Sequence, residues 1–384
     1  MIYLDNNATT KMAPEVLASM EPYFKDCYFN PSAGYAGAKK IREAVEEARF
    51  LIAKLIGCDS HDIIFTSGGT EASNMALREI QSRGGSLALP TTDHDASRIT
   101  AKNISTSLLC PVDNQGVIDE NEWISLCLSP HTAGFTFAWA NNETGVIQNA
   151  KKLCALAHDA GKLVHVDMVQ CIGKMPVNVY EIDADYASIS AHKFHGPKGI
   201  GCLYRKPGTP IKPLIFGGGQ EFGFRSGTEN VPGIIGMGTA ARLVLNHQEK
   251  HIKHLTKLQH DFEDFLIHQV GKVRIHSAQA PRIPNTTNVA FEGCTAEALM
   301  LLMEPRGLLC AAGSACHTIQ PEPSHVLKAM GISDTEIRSS LRFSFSSYTT
   351  RDELQEICKI ISETVIKVRQ VQSTKTGPVI VYKP

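Results

Sequence analysis

The chain lacks several things that would each have pointed elsewhere. It has no excess of either charge: 38 Lys and Arg stand against 39 Asp and Glu, a net charge of -1. That balance gives neither the basic footprint of a nucleic-acid binder nor the polybasic patch of an anionic-membrane binder. No apolar run approaches the length of a membrane span. The opening Met1-Ile2-Tyr3-Leu4-Asp5 leads directly into structure-like sequence, so no signal or transit peptide is expected. The 11 cysteines are odd in number and form no C-x-x-C pair, which argues against a disulfide framework or zinc module and for reduced thiols in a cytoplasmic compartment. There is no internal repeat and no low-complexity tract. What remains is an ordinary globular composition over 384 residues, enough for about two domains.

Periodicity then gives the fold class. Residues 63–65, 86–89, 135–140, 163–166, 185–189 and 201–205 read as strands, and residues 71–83 and 151–160 as helices between them. Such alternation predicts an α/β domain with a mostly parallel sheet covered on both faces and a ligand beyond the carboxyl ends of its strands. Helices are also expected at 14–24 and, with apolar residues in a 3-and-4 rhythm from Ile41 to Leu55, up to Gly57. A long helical region over 233–270 holds the expected boundary. Beyond it come a strand at 287–291, a helix at 296–303, a strand at 341–345 and a helix at 351–368, a smaller α+β domain. The large domain is expected over 13–250 and the small one over 1–12 with 251–384. The tail from Thr374 offers Val379–Tyr382 as an added edge strand or a frayed end.

The chemistry gathers where strands stop. Ser190-Ala191-His192-Lys193 follows an apolar strand and precedes the breakers Gly196, Pro197 and Gly199. Desolvation there favours an amine that loses its proton and can form a Schiff base, although a solvated lysine would also suit a strand end. Gly68-Gly69-Thr70 opens a helix, where backbone N–H groups and the helix dipole favour an anion, or simply form a cap. Asp167, three residues before Gln170, could hold a protonated ring nitrogen. His94 could stack on a flat ring or carry protons, and Asn141-Asn142 lies in a polar loop. Arg342 in an apolar strand calls for a carboxylate, from a substrate or from an ion pair. Cys316, in Gly313-Ser314-Ala315-Cys316-His317, sits in a polar loop that suits a reactive thiol. One cofactor uses these together: pyridoxal 5'-phosphate.

At this point the chain resembles the cysteine desulfurases, the NifS/IscS-type branch of the class V aminotransferase-like pyridoxal-phosphate enzymes. Matching blocks run from Tyr3–Thr10 through Ser67–Asn74, Asn141–Gly145, His165–Gln170, Ser190–Gly201, Gly217–Asn230, Gly313–Cys316 and Pro323–Leu327 to Leu341–Ser344. The resemblance implies fold type I, the aspartate-aminotransferase-like fold. It implies that Lys193 bears the cofactor. Gly69, Thr70, Ser190 and His192 would then bind its phosphate, with Thr228 reaching the partner's cofactor in a homodimer. Asp167 would pair with the ring nitrogen, Gln170 and Asn142 would lie at the phenolic oxygen, and His94 would stack on the ring and handle protons. Arg342, with Asn142, would bind the substrate, and Cys316 would accept sulfur from L-cysteine as a persulfide, releasing L-alanine. A sulfur-acceptor or iron–sulfur scaffold protein would follow. No metal, nucleic acid or membrane is implied. Tyr35, His94-Asp95 and Cys316-His317 are also similar to selenocysteine lyases, which gives an alternative activity on the same scaffold. An aminotransferase of this fold would have no need of Cys316, and a non-catalytic scaffold would have no need of Lys193.

Overall fold

A computed structural model describes residues 1–313 and 323–373. Its strands, in chain order, are β1 Ile2–Tyr3, β2 Ile63–Thr66, β3 Ser86–Pro90, β4 Ser107–Cys110, β5 Thr132–Ala138 and β6 Leu163–Asp167. They continue with β7 Tyr186–Ser190, β8 Gly201–Arg205, β9 Val273–Ile275, β10 Thr286–Phe291, β11 Leu308–Leu309 and β12 Ser340–Ser344. Seven of them form the main sheet in the order β2-β8-β7-β6-β5-β3-β4. All run parallel except β8, which is antiparallel to both neighbours. The carboxyl ends of β2, β3, β5, β6 and β7 therefore share one edge.

The central strands are buried along their whole length, as a sheet covered on both faces requires. One covering layer is built from the helices Ala36–Ile56 and Val231–Phe265. Their closest approach is glycine-dependent, because a Cβ on Gly238 would stand 2.6 Å from the Cα of Ala48. Trp123 fills the core against Phe135 and Phe137, with ring centroids 4.4 and 5.7 Å away. Trp123 also gives its indole N–H to the carbonyl of Leu153, so its one polar atom is satisfied.

The helix Val231–Phe265 has 35 residues, a length of roughly 50 Å. Its first half packs in the main core through Val231, Ile234, Met237 and Ala241. Its second half enters another core through Leu255, Leu258 and Phe262. There Phe262 meets Phe343 and Phe345 edge-on, beside the antiparallel sheet β12-β10-β9. Leu4 belongs to this second core, and β1 pairs with β11.

Three local expectations need correction. Residues 14–24 form two short helices, Pro14–Met20 and Pro22–Lys25, because Pro22 cannot donate into the turn before it. The helices Asp95–Ile104 and Glu120–Leu128, with β4, are not among the expected elements, because each is short and its apolar residues do not keep a clean 3-and-4 or alternating rhythm. The expected strand at 135–140 begins earlier and ends at Ala138. Cys316 and the tail 374–384 lie outside the described residues.

Candidate functional site

The strand ends converge as the sequence predicts. Beyond β7 the chain turns through Ala191–Lys193 and folds back so tightly that a Cβ on Gly196 would lie 2.8 Å from Ala191. The N-terminal segment is laced to this turn. Thr10 donates from N and Oγ1 to the carbonyl of His192, both at 2.9 Å, and accepts from the amide of His195 at 2.8 Å. Lys193 Nζ donates to the carbonyls of Asn7 and Ala8 at 2.5 and 2.7 Å. The amine is thus aimed by backbone oxygens about 185 positions away in sequence.

A cavity of about 280 Å³ opens in front of Lys193. Its walls include Gly69, Thr70, His94, Asn142, Asp167, Gln170, Ser190, His192, Lys193 and Arg342, so ten of the expected site residues meet in one place. Thr228 does not line it: it is exposed on the loop that follows Gly217-Gly218-Gly219. That loop is tied down by Arg225 to Glu71, 2.9 Å, and by Glu221 to Arg49, 2.8 Å. Cys316 lies outside the described residues.

One end of the cavity suits an anion. The helix Gly69–Gln81 begins there, and Ser190 and His192 face its first turn from β7. Gly69 is required by packing, since a Cβ would come within 2.7 Å of Val169. Burial, with help from Lys193, pushes His192 down to about 4, so without a bound anion it is neutral. Its Nδ1 lies 3.1 Å from Thr9 Oγ1.

The other end is a buried carboxylate. Asp167 Oδ1 accepts from the amide of Val169 at 2.9 Å. Burial raises its pKa, and His94 and then Lys193 oppose that rise. A protonated ring nitrogen entering the cavity would favour the ionised form of this carboxylate. Burial, with Asp167 adding to it, pushes the Asp93 carboxyl behind it well above the usual carboxylate range; one oxygen accepts from the amide of Ala138 and the other has no partner among the described residues. His94 caps the helix Asp95–Ile104, with Nδ1 accepting from Ala96 at 3.1 Å. That contact puts the ring proton of neutral His94 on Nε2.

Arg342 is fully buried. Nη2 pairs with Asp5 at 2.5 Å and Nη1 donates to the carbonyl of Asn142 at 3.1 Å, while Nε has no partner among the described residues. Donors therefore remain for a carboxylate entering the cavity. Asn7 lines the cavity, and Asp5 and Lys174 join its hydrogen-bond network, although no separate motif marks any of the three. The run Asp5–Thr10 reads as a polar turn, and no motif marks Lys174. Gln170 Nε2 donates to the carbonyl of Asn7 at 2.9 Å, and its Oε1 accepts from Lys174 at 2.5 Å. Among the described residues no cluster of His, Cys, Asp and Glu could hold a metal ion.

The anion seat, the buried carboxylate and the amine between them fit pyridoxal phosphate. The family described as Aminotransferase class-V matches residues 2–357. A protein named cysteine desulfurase from Trichormus azollae is 38% identical over 382 residues, covering 98% of this chain and 95% of its own. Among solved structures, a NifS-like protein superimposes with a TM-score of 0.87 at 32% identity, covering 97% of this chain and 99% of its own. Another, SspA in complex with cysteine, gives 0.80 at 30% identity over 91% and 100%. With matches this long to relatives named for the sulfur reaction, the chain belongs to the cysteine desulfurases of the class-V aminotransferase family, pyridoxal-phosphate enzymes of fold type I.

Proposed function

We propose that the protein is a cysteine desulfurase: it takes sulfur from L-cysteine, holds it as a persulfide on Cys316, and releases L-alanine. The observation that carries this reading is the convergence of Lys193, Asp167, Gln170, Ser190, His192 and Arg342 on one cavity. Pyridoxal phosphate, when bound, supplies an aldehyde and an electron-withdrawing ring. The chain supplies the rest. Gly69, Thr70, Ser190 and His192 bind the phosphate, and Asp167 keeps a proton on the ring nitrogen. Gln170 and Asn142 lie at the phenolic oxygen, and His94 covers the ring. Arg342 and Asn142 orient the substrate so that its α-hydrogen faces the Lys193 amine, which removes that proton. The Cys316 thiolate attacks the substrate sulfur. A sulfur–sulfur bond forms as the carbon–sulfur bond breaks, the electron pair stays with carbon, and protonation completes alanine.

Thr228 is exposed, as are Leu214, Ile215 and Phe216 earlier on the same loop, and this exposed apolar surface supports a homodimer that shares its phosphate sites. A sulfur-acceptor or iron–sulfur scaffold protein would receive the persulfide. No helix among the described residues is long and apolar enough to cross a membrane, and the described cysteines are all free, which supports a reducing, cytoplasmic setting. The two cores support a large unit over 13–250 and a small one over 1–12 and 251–384. The names of the relatives favour sulfur over the selenocysteine lyase reading.

The test is incubation of the purified holoenzyme with L-cysteine, following alanine, sulfide and the mass of the peptide carrying Cys316. Alanine with a 32-dalton gain on that peptide, about one sulfur atom, is expected. Bound cofactor without alanine refutes the reading, and strong preference for L-selenocysteine would move the assignment to the lyase.

A further inference from the structure

We propose that Lys174 is a positioning residue: it holds the side-chain amide of Gln170 so that an N–H points at the cofactor's phenolic oxygen, and so sets the protonation of the cofactor bound at Lys193. The inference rests on the pyridoxal-phosphate reading of the cavity.

Lys174 is 6% exposed, in the turn after β6, and it enters no step described above. Its Nζ reaches two oxygens, Gln170 Oε1 at 2.5 Å and Asn7 Oδ1 at 3.3 Å. The Asn7 amide is oriented independently, because its Nδ2 donates to the carbonyl of Asn142 at 3.0 Å. Its oxygen is thereby free to accept, from Asn285 Nδ2 at 3.0 Å and from Lys174. Gln170 is pinned from both sides. A lysine donor meets its oxygen, and the Asn7 carbonyl, which can only accept, meets its nitrogen at 2.9 Å. One amide hydrogen is thereby committed to Asn7, and the second is left for the cavity that Gln170 lines. The same Asn7 carbonyl also accepts from Lys193. The contacts run unbroken from Lys174 through Gln170 and Asn7 to the cofactor lysine.

The setting agrees with such a role. Burial, then the charge of Lys193 and, less, of Arg342, pushes Lys174 down to about 7, while Cys171 opposes the shift. His195 and His251 line the void on its other side. No carboxylate faces it among these groups, so nothing there explains a buried lysine as half of an ion pair.

The test is a pH titration of the visible absorption of the cofactor-loaded protein. An N–H and a cation near the phenolic oxygen favour its anionic form and lower the transition. K174M is expected to raise it by about one unit, equivalent to tenfold in proton affinity. In the Q170L background the same change should have no further effect, since Lys174 acts through Gln170. A merely structural lysine would lower stability and leave the transition where it is. An unmoved transition in cofactor-loaded K174M overturns the proposal, as does an equal shift with and without Gln170. Should K174M fail to fold, Q170E approaches the contact from the other side. Its carboxylate pairs with Lys174 and offers no N–H, so the transition should rise, and an unmoved one overturns the proposal. Wild-type protein that takes up no cofactor would instead refute the reading of the cavity on which the proposal stands.

Discussion

Arg342 shows how much one side chain can be asked to do. It is buried in β12, pairs with Asp5 at 2.5 Å and donates to Asn142 while lining the cavity. A guanidinium can serve all three because its donors form a fixed planar fork, whereas a lysine offers only a point charge. Arg342→Lys is therefore expected to raise KM for L-cysteine more than tenfold, with a smaller change in kcat, as loss of ground-state substrate binding would. Steady-state kinetics with L-cysteine checks this. Asp5→Ala removes the partner and leaves a buried charge unpaired. It should destabilise the fold by about 3–5 kcal/mol, read from the urea midpoint.

At the scale of elements, the cavity depends on a few close approaches. A Cβ on Gly201, the first residue of β8, would lie 2.4 Å from the carbonyl of Ile189 and 2.7 Å from the Cα of Gly68. That contact sets β7 and β8 beside the loop that opens the helix Gly69–Gln81. Gly201→Ala must push backbone against backbone. A loss of about 1–3 kcal/mol is expected, with cofactor affinity falling further because the anion seat moves. Thermal unfolding with and without cofactor separates the two. A second anchor is Glu221, in the left-handed region at φ 49°. Its carboxylate accepts from Arg49 at 2.8 and 2.9 Å and from the amide of Phe65 at 2.7 Å, fixing the loop that carries Thr228. Glu221→Ala is expected to weaken the proposed homodimer as well as stability, and analytical ultracentrifugation would show a shift toward monomer relative to wild type.

For the whole molecule, pH acts through histidines buried in the neutral form. Burial pushes His165 down to about 3, and His276, with Arg274 adding to the effect, down to about 4. Unfolded, both return to about 6.5. Between that value and the folded one, the unfolded chain binds more protons, so stability falls as pH falls through this window. For His165, wholly buried between β5 and β7, the slope is about 1.4 kcal/mol per pH unit below pH 6. Urea midpoints for the cofactor-free protein should therefore drop from pH 7 to pH 5. His165→Leu should flatten that fall, and an unchanged slope would count against His165 as its source.

The strand ends, the breakers around Gly196 and the order of the polar blocks were legible in the sequence because each is local: an apolar run, a glycine, a polar residue after it. Lys193, Asp167, Gln170 and Ser190 could be named as one site on that basis, and the resemblance added their roles. The antiparallel direction of β8 was not legible, since a short apolar strand reads the same in either direction. The short helices Asp95–Ile104 and Glu120–Leu128 were not legible either, because each is too short to show a clear apolar repeat. Least legible of all was the part played by Asp5, Asn7 and Lys174. Nothing local distinguishes a turn asparagine or a lysine in a turn between Gly173 and Met175. Their function exists only once the N-terminal segment lies across the Lys193 turn, bringing Asn7 within hydrogen-bond reach of residues 163 and 186 positions away. The sequence determined which chemical groups this protein has at its strand ends. The tertiary structure decided which of them touch, because hydrogen bonds and charge effects fall off over a few ångströms while the residues that share them are spread over most of the chain.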